Sequence, residues 1–207
     1  MTPMHTTPIG YAMFASRLRA SPWMSALVGL ALLPSTASLA AAQPTTVILV
    51  RHAERAAEPR SDPILTEAGA QRARDLMATL RYAGVTSVIT TQLQRTGLTA
   101  LPLADSLGIT PRIVRAGGMP VSAHADSVAA AVRARGPGEV VLVVGHSNTI
   151  PAIIAALGGP RFADLCESQY ASLFILELGA GGAPRMILAS FGVADPPRAA
   201  DCHSTMR

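Results

Sequence analysis

The most informative segment of the sequence for the fold class is Thr45-Thr46-Val47-Ile48-Leu49-Val50-Arg51-His52-Ala53-Glu54-Arg55. It begins as a run of β-branched and aliphatic residues and ends in charged and imidazole side chains. A run that is apolar on both faces is typical of a strand in a parallel sheet covered by helices. Ligands of open α/β sheets bind at the carboxyl ends of the strands, where this polar cluster falls. An arginine beside a histidine at that edge indicates an anion site.

Two further apolar runs end in the same kind of residue. Residues 139–144 lead into Gly145-His146-Ser147-Asn148-Thr149, and residues 87–91 are followed closely by Arg95. If the three strands are parallel, two histidines and two arginines meet at one edge of one sheet. We therefore predict a three-layer α/β/α sandwich around a mostly parallel sheet, with a polar site at its carboxyl edge.

At these residues the chain resembles the histidine phosphatase superfamily, which has the phosphoglycerate-mutase-like fold. The family's Arg-His-Gly signature appears as Arg51-His52-Ala53. The setting of its second arginine appears as Leu93-Gln94-Arg95-Thr96-Gly97-Leu98-Thr99-Ala100, and its Val-Gly-His-Ser motif appears as Val144-Gly145-His146-Ser147. The order and rough spacing agree over about Thr45 to Phe191, so the three motifs together support the resemblance.

The residue types at this edge suit the chemistry of a phosphoryl group. Arg51 and Arg95 supply planar forks that match phosphate oxygens. His52 is the predicted nucleophile, forming a phosphohistidine that water then hydrolyses. His146 is predicted to donate to a phosphoryl oxygen, and Asn148 to orient the turn that holds it. The resemblance implies the same catalytic roles for the two arginines and the two histidines.

The proton donor and the rest of the substrate site are less clearly marked. The resemblance implies an acidic donor after the third strand, where this chain offers only His124 and Asp126. We favour His124, because it lies at the predicted start of the following helix, and Glu54 is the third candidate. Glu54, Asn148 and Arg115 are also predicted to contact substrate. The family often has Asn six residues after the nucleophile, and Glu58 at that position here predicts a different loop.

Patterning predicts the remaining elements. Thr66 is the expected N-cap of the first helix, and the next helix, over about residues 96–107, should be kinked or interrupted at Pro102. Its predicted inward residues are Leu98, Leu101 and Leu107. Two later helices are expected over about 123–134 and 150–157. Strands near 172–178 and 186–191 should form a hairpin or neighbouring pair, followed by a loosely held tail.

The first residues have the layout of a secretory signal peptide. Arg17 and Arg19 precede an apolar stretch too short for a comfortable membrane span, and small residues follow. We divide the chain into a signal peptide (1–42), a histidine phosphatase domain (43–193) and a C-terminal tail (194–207). The mature protein is expected in the periplasm or secreted, without a stable membrane span. Removal of the signal peptide takes away both of these arginines and so lowers the net positive charge. Since no nucleic-acid motif is present either, we predict no nucleic-acid partner.

Cysteine usage gives one further expectation. The two cysteines, Cys166 and Cys202, can pair in an exported protein, and two separate thiols are the alternative. Neither lies in a metal-ligand spacing, and we predict no cofactor and no metal. A metal held by His52, His124 and His146 is the other chemistry considered, and the adjacent arginines oppose it by repelling a cation.

We therefore predict a metal-independent phosphomonoesterase acting through phosphohistidine on a small phosphorylated substrate or a phosphopeptide. A phosphomutase of the same fold is the alternative within enzymes, disfavoured by export and by the short chain. A catalytically weak protein that binds phosphorylated ligands is the alternative from another class. Nothing in the sequence indicates the oligomeric state.

Overall fold

A computed structural model describes residues 43–179 and 181–196. The predicted signal peptide and most of the predicted tail lie outside these residues. The six strands are β1 (Thr45–Arg51), β2 (Ser87–Thr90), β3 (Arg112–Ile113), β4 (Val140–Gly145), β5 (Ser172–Leu178) and β6 (Arg185–Ser190). The four helices are α1 (Glu67–Leu80), α2 (Gln94–Leu107), α3 (Val121–Arg133) and α4 (Thr149–Ala156).

The strands form one sheet in the order β3-β2-β4-β1-β5-β6. The pairs β2–β3, β2–β4 and β1–β4 are parallel, whereas β5 runs antiparallel to β1 and β6 antiparallel to β5. The predicted mostly parallel α/β fold is therefore confirmed, and so is the hairpin at its end. Each parallel connection contains a helix, as crossovers between parallel strands require.

The sheet is buried on both faces because the residues of β1 alternate between two cores. Val47 and Leu49 belong to a cluster that packs with α3 and α4. Ile48 and Val50 belong to a second cluster that packs with α1 and α2. The unbroken apolar run of the sequence thus packs against a layer of helices on each face of the sheet. The sheet and the two helical layers are the three layers predicted.

Helix α1 begins as predicted and lies very close to the end of the first motif. Thr66 is its N-cap, and the hydroxyl of Thr66 accepts from the backbone N–H of Gly69 at 3.1 Å. A Cβ added at Gly69 would lie 2.2 Å from the carbonyl oxygen of Glu54. Glycine is therefore required at this position by close approach of the two backbones.

The buried face of α2 differs from the prediction. Leu101 and Leu107 are exposed, and the buried residues of the helix are Thr96, Thr99, Ala100, Leu103 and Ala104. The helix also continues through Pro102 without interruption. The prediction was wrong because it ranked positions by hydrophobicity, whereas the two threonines are buried with their hydroxyls bonded to backbone groups.

The first residues of the predicted tail are attached to the domain rather than loosely held. The carboxylate of Asp195 accepts from the backbone N–H groups of Tyr170 at 2.8 Å and Ala171 at 2.9 Å. Within the described ranges, no helix combines the length and the apolar character needed to cross a bilayer.

Candidate active site

The register of β1 and β4 brings the two motif histidines together. Arg51 is paired with Gly145, and the backbone N–H of His52 donates to the carbonyl of Gly145 at 2.9 Å. The residue that follows each of these paired positions is a histidine, His52 after β1 and His146 after β4. Their ring centroids lie 5.3 Å apart. The edge predicted from the sequence thus exists as one cluster.

The turn that carries His146 is organised by Thr149. The Thr149 hydroxyl accepts from the backbone N–H of His146 at 2.8 Å. A Cβ at Gly145 would lie 2.8 Å from that hydroxyl, so glycine is needed for the turn to close. Asn148 is the N-cap of α4 but makes no side-chain capping bond. The predicted role of Asn148 in orienting the turn is therefore wrong, although its side chain lines the site.

His52 is held as a neutral imidazole with one nitrogen available. Its Nδ1 lies 2.8 Å from the carbonyl oxygen of Ala53, so Nδ1 carries the hydrogen and Nε2 keeps a lone pair. Burial lowers the pKa of His52 from 6.5 to about 4, with the Ala53 carbonyl opposing and Arg51 and Arg95 adding to the decrease. A neutral imidazole with a free lone pair is the form a nucleophile requires.

His146 is also neutral near pH 7. Burial, with smaller contributions from His52, Arg95, His124 and Arg51, lowers its pKa from 6.5 to about 3. Its Nε2 lies 3.2 Å from the hydroxyl of Thr91. Its Nδ1 is buried and has no hydrogen-bond partner among the described residues.

Arg95 reaches the same site from the start of α2. The hydroxyl of Thr99 donates to the Arg95 carbonyl at 2.7 Å and accepts from the backbone N–H of Ala53 at 2.9 Å. This link joins the second motif to the first and explains why a threonine is buried there. Burial first, and then Arg55, lowers the pKa of Arg95, while Asp62 opposes the decrease.

Arg51 is arranged differently from the predicted open fork. One terminal nitrogen donates to the carbonyls of Cys166, Glu167 and Gln169, the shortest at 2.6 Å. The other donates to the Glu167 carboxylate at 2.9 Å, and the ring of Tyr170 lies 4.2 Å from the guanidinium carbon. Only Nε remains unpaired. The prediction of a bidentate Arg51 fork is therefore corrected, because the segment 166–170 already occupies both terminal nitrogens.

A pocket of about 630 Å³ opens over this cluster. Its lining includes six of the predicted site residues: the five predicted catalytic residues Arg51, His52, Arg95, His124 and His146, and the predicted substrate-binding residue Asn148. It also includes residues that the sequence reasoning missed: Arg55, Gln92, Asp164 and Glu167. Arg55 stands in the opening motif stretch and could have been named from it. The two acids lie in an irregular segment without periodicity, which carries no signal.

Three predicted residues lie elsewhere. The Glu54 carboxylate is bonded by Arg72 at 2.8 to 3.0 Å and lies outside the pocket lining, so this position does not support contact with substrate. The Arg115 side chain is exposed and outside the lining, and so is Asp126. Glu58 pairs with Arg60 in an exposed loop.

His124 is the proposed proton donor that the structure does bring to the pocket. It is buried near the start of α3, and its Nδ1 lies 3.1 Å from the carbonyl of Arg115. The backbone carbonyl of Arg115 thus holds the His124 ring, while the exposed Arg115 side chain is not part of the lining. Gln92 fixes the same loop, since its amide accepts from the N–H of Ala116 at 2.8 Å and donates to the Ala116 carbonyl.

Two remaining expectations concern metal and cysteine. In the ranges 43–179 and 181–196, no group of three or more His, Cys, Asp or Glu residues is arranged to hold a metal ion. Cys166 is disulfide-bonded. Its predicted partner, Cys202, lies outside the described residues, so the pairing between these two cysteines stays a prediction.

Comparison with known proteins agrees with this site. The family model of the histidine phosphatase superfamily (branch 1) matches residues 47–116, which carry the first histidine and both arginines of the motifs. No curated protein matches the chain.

Solved structures extend the likeness to the whole domain. YhfR of Bacillus stearothermophilus is 22% identical with a TM-score of 0.54, over 73% of this chain and 96% of that one. The protein histidine phosphatase SixA, complexed with tungstate, is 19% identical with a TM-score of 0.55, over 70% and 96%. A mycobacterial glucosyl-3-phosphoglycerate phosphatase is 18% identical with a TM-score of 0.53, over 72% and 99%. At these identities the likeness shows a shared fold.

The chain has the phosphoglycerate-mutase-like fold of these solved structures, and residues 47–116 carry the motifs that the family model matches. The resemblance of the chain to the histidine phosphatase superfamily is thereby confirmed. Members of that superfamily are phosphatases or phosphomutases, so the match supports an enzyme of one of these types acting on small phosphorylated substrates.

Proposed function

We propose that this protein is a phosphomonoester hydrolase that works through a phosphohistidine on His52, without a metal. One observation carries the proposal. Four buried side-chain nitrogens among the described residues lack a hydrogen-bond partner, and three of them, Arg51 Nε, Arg95 Nε and His146 Nδ1, belong to the same cluster. Buried polar groups are nearly always paired, so unpaired ones that gather at one place indicate a ligand that completes them. Because the group includes two guanidinium nitrogens, that ligand is an anion.

The reaction follows from the protonation states. The lone pair on His52 Nε2 attacks phosphorus, the bond to the ester oxygen breaks, and the oxygen leaves with a proton. Arg95 and His146 stabilise the charge on the equatorial oxygens during this step. Water then attacks the phosphohistidine, releasing inorganic phosphate and restoring the neutral imidazole.

The proton for the leaving oxygen comes from His124 in this proposal. Its Nδ1–H is used by the Arg115 carbonyl, so a protonated ring has Nε2–H to donate. General acids contribute about 10²–10⁴-fold, and mainly for poor leaving groups. His124→Ala should therefore slow turnover of an alkyl phosphate far more than that of an aryl phosphate. Equal losses on the two substrates would exclude His124 as the acid.

The covalent intermediate provides the test of the proposed function. Brief incubation with a labelled aryl phosphate, followed by an alkaline quench, should leave acid-labile label on the peptide that contains His52. His52→Ala should remove both label and turnover while keeping the fold. Wild-type turnover should persist in EDTA. Substantial turnover by His52→Ala would overturn the proposal, and an unlabelled, inactive wild type would favour a protein that only binds phosphorylated ligands.

Export belongs to the same proposal. The order of charged, apolar and small residues in Met1–Ala42 supports cleavage near Ala41 or Gln43, giving a periplasmic or secreted enzyme. Intact-mass measurement on the envelope fraction tests this, and a retained Met1 would contradict it.

A further inference from the structure

A second groove continues from the pocket over His52. Its volume is about 470 Å³, and it shares Val121, Asn148 and Asp164 with the pocket lining. Beyond these shared residues it runs along one face of α4 and the segment that follows the helix, where it is lined by Pro151, Ala152, Ala155, Arg161 and Phe162. The two spaces therefore meet directly at Asn148, beside the histidine cluster.

The surface of this groove is mainly apolar. Phe162 and Val121 are each 37% exposed, and Met119, in the adjoining pocket lining, is 44% exposed. Phe162 also packs on the core residue Phe174, with ring centroids 5.9 Å apart. This contact with the core holds the Phe162 side chain in position. Exposed apolar residues that adjoin one another beside a polar site are the usual lining of a small-molecule pocket.

We propose that the groove holds the leaving group of the substrate, and that this group is an extended, largely apolar chain. This inference rests on the proposed function, since the phosphoryl group at His52 fixes one end of the molecule. The alanines at 152 and 155 leave room along α4, where larger side chains would fill the groove. Arg161 can lay its methylene stem along the chain with its guanidinium in water.

A leaving group with a second anionic end fits less well. Asp164 lines both spaces, and its carboxylate repels a negative group there. A bulky peptide is also disfavoured, because the groove is bounded by the first residues of α3 on one side and by the segment around Phe162 on the other.

The length of the alkyl chain of the substrate is the variable that tests this inference. We would compare kcat/KM for butyl phosphate and octyl phosphate by release of inorganic phosphate. Complete burial of a methylene is worth nearly fourfold, and an open groove buries about half, so octyl should exceed butyl by roughly tenfold. Ala152→Trp should bring this ratio close to one. Ala130→Trp, the same change at an exposed alanine of α3 outside the groove, should retain the wild-type ratio.

A binding measurement separates failure of this inference from failure of the proposed function. Octylphosphonate and butylphosphonate are not hydrolysed, and their dissociation constants can be measured by calorimetry whether or not the enzyme turns over. Wild type should bind the octyl compound roughly tenfold more tightly. Equal affinities, or an Ala152→Trp variant that keeps the preference, would overturn the groove assignment even if aryl phosphates are hydrolysed. A chain-length preference in binding without any turnover would keep the groove and overturn the proposed function.

Discussion

Two arginines of this protein, Arg72 and Arg95, show what separates a structural site from a functional one. Arg72 is 6% exposed, and all three of its guanidinium nitrogens are bonded. Nε and one terminal nitrogen donate to the Glu54 carboxylate, and the other donates to the carbonyls of Phe191 at 3.2 Å and Val193 at 2.9 Å. Arg95 makes no side-chain hydrogen bond among the described residues, and its Nε is buried.

The difference lies in whether the fold itself completes the hydrogen bonds. Arg72 ties the end of the first motif to the C-terminal segment, and its charge is neutralised by Glu54. Burial lowers the pKa of Arg95, the like charges of Arg55 and Arg51 lower it as well, and Asp62 opposes the decrease. A buried guanidinium nitrogen without a hydrogen-bond partner is unfavourable without a ligand, and such sites are where function concentrates. Arg51 is intermediate, because its terminal nitrogens are bonded while its Nε is not.

The largest expected effect is the loss of activity in Arg95→Ala. Two charge-assisted bonds to phosphate would be lost, each worth about 1.5–3 kcal/mol, so kcat/KM for an aryl phosphate should fall roughly 10²–10⁴-fold. The urea midpoint should not fall, because no bond of the folded protein is broken. Arg74→Ala, at an exposed arginine of α1, is the matched control and should change neither quantity. A stability loss matching the activity loss would place Arg95 with Arg72 instead.

Arg72→Met should show the opposite pattern. It leaves the Glu54 carboxylate without its partner, and breaking one side of a buried pair typically costs about 3 kcal/mol of unfolding free energy. Activity measured well below the unfolding transition should stay within about threefold of wild type, because Arg72 does not line the pocket. Adding Glu54→Gln should recover part of the lost stability. A large fall in kcat/KM with unchanged stability would show that Glu54 reaches the substrate after all.

The sequence predicts the strands and motifs of this fold because long apolar runs and residue order are local properties. Which residue a charged side chain contacts is not a local property, because the contacting residue can lie far away in the sequence. Glu54 was expected at the substrate because it follows the nucleophile, but its partner Arg72 lies 18 residues further along. The contacts of Arg51 come from residues 115 to 119 positions away, in an irregular segment with no periodicity. The buried threonines of α2 were missed because their burial depends on backbone groups of other elements.

Lowering the pH should reduce the free energy of unfolding through His52, at the catalytic edge of the sheet. The pKa of His52 is 6.5 when unfolded and about 4 in the folded protein, so only the unfolded chain takes up this proton in between. The stability that His52 contributes is fully present above pH 6.5 and is lost as the pH falls towards 4. Wild type should therefore lose about 3 kcal/mol more than His52→Gln between pH 7 and 4. Urea unfolding at a series of pH values measures this, and parallel curves for the two proteins would contradict it.

The smallest expected effect concerns Thr91, a residue that positions His146. The Thr91 hydroxyl lies 3.0 Å from the Thr96 hydroxyl and 3.2 Å from His146 Nε2. When the Thr96 hydroxyl donates to Thr91, the single proton of Thr91 is directed at His146 Nε2. A proton received at Nε2 places the ring hydrogen on Nδ1, the unpaired nitrogen that we expect to bind the phosphoryl group.

Thr91→Val keeps the shape but removes the hydroxyl, so kcat should fall about tenfold, equivalent to one neutral hydrogen bond of about 1.4 kcal/mol, with KM little changed. Thr91→Ser retains the hydroxyl and should restore most of the rate. If serine and valine variants are equally slow, Thr91 acts through packing alone. If the valine and serine variants both keep the wild-type rate, the ring of His146 is oriented without the Thr91 hydroxyl. The Thr91 hydroxyl would then have a structural role only, as Arg72 does.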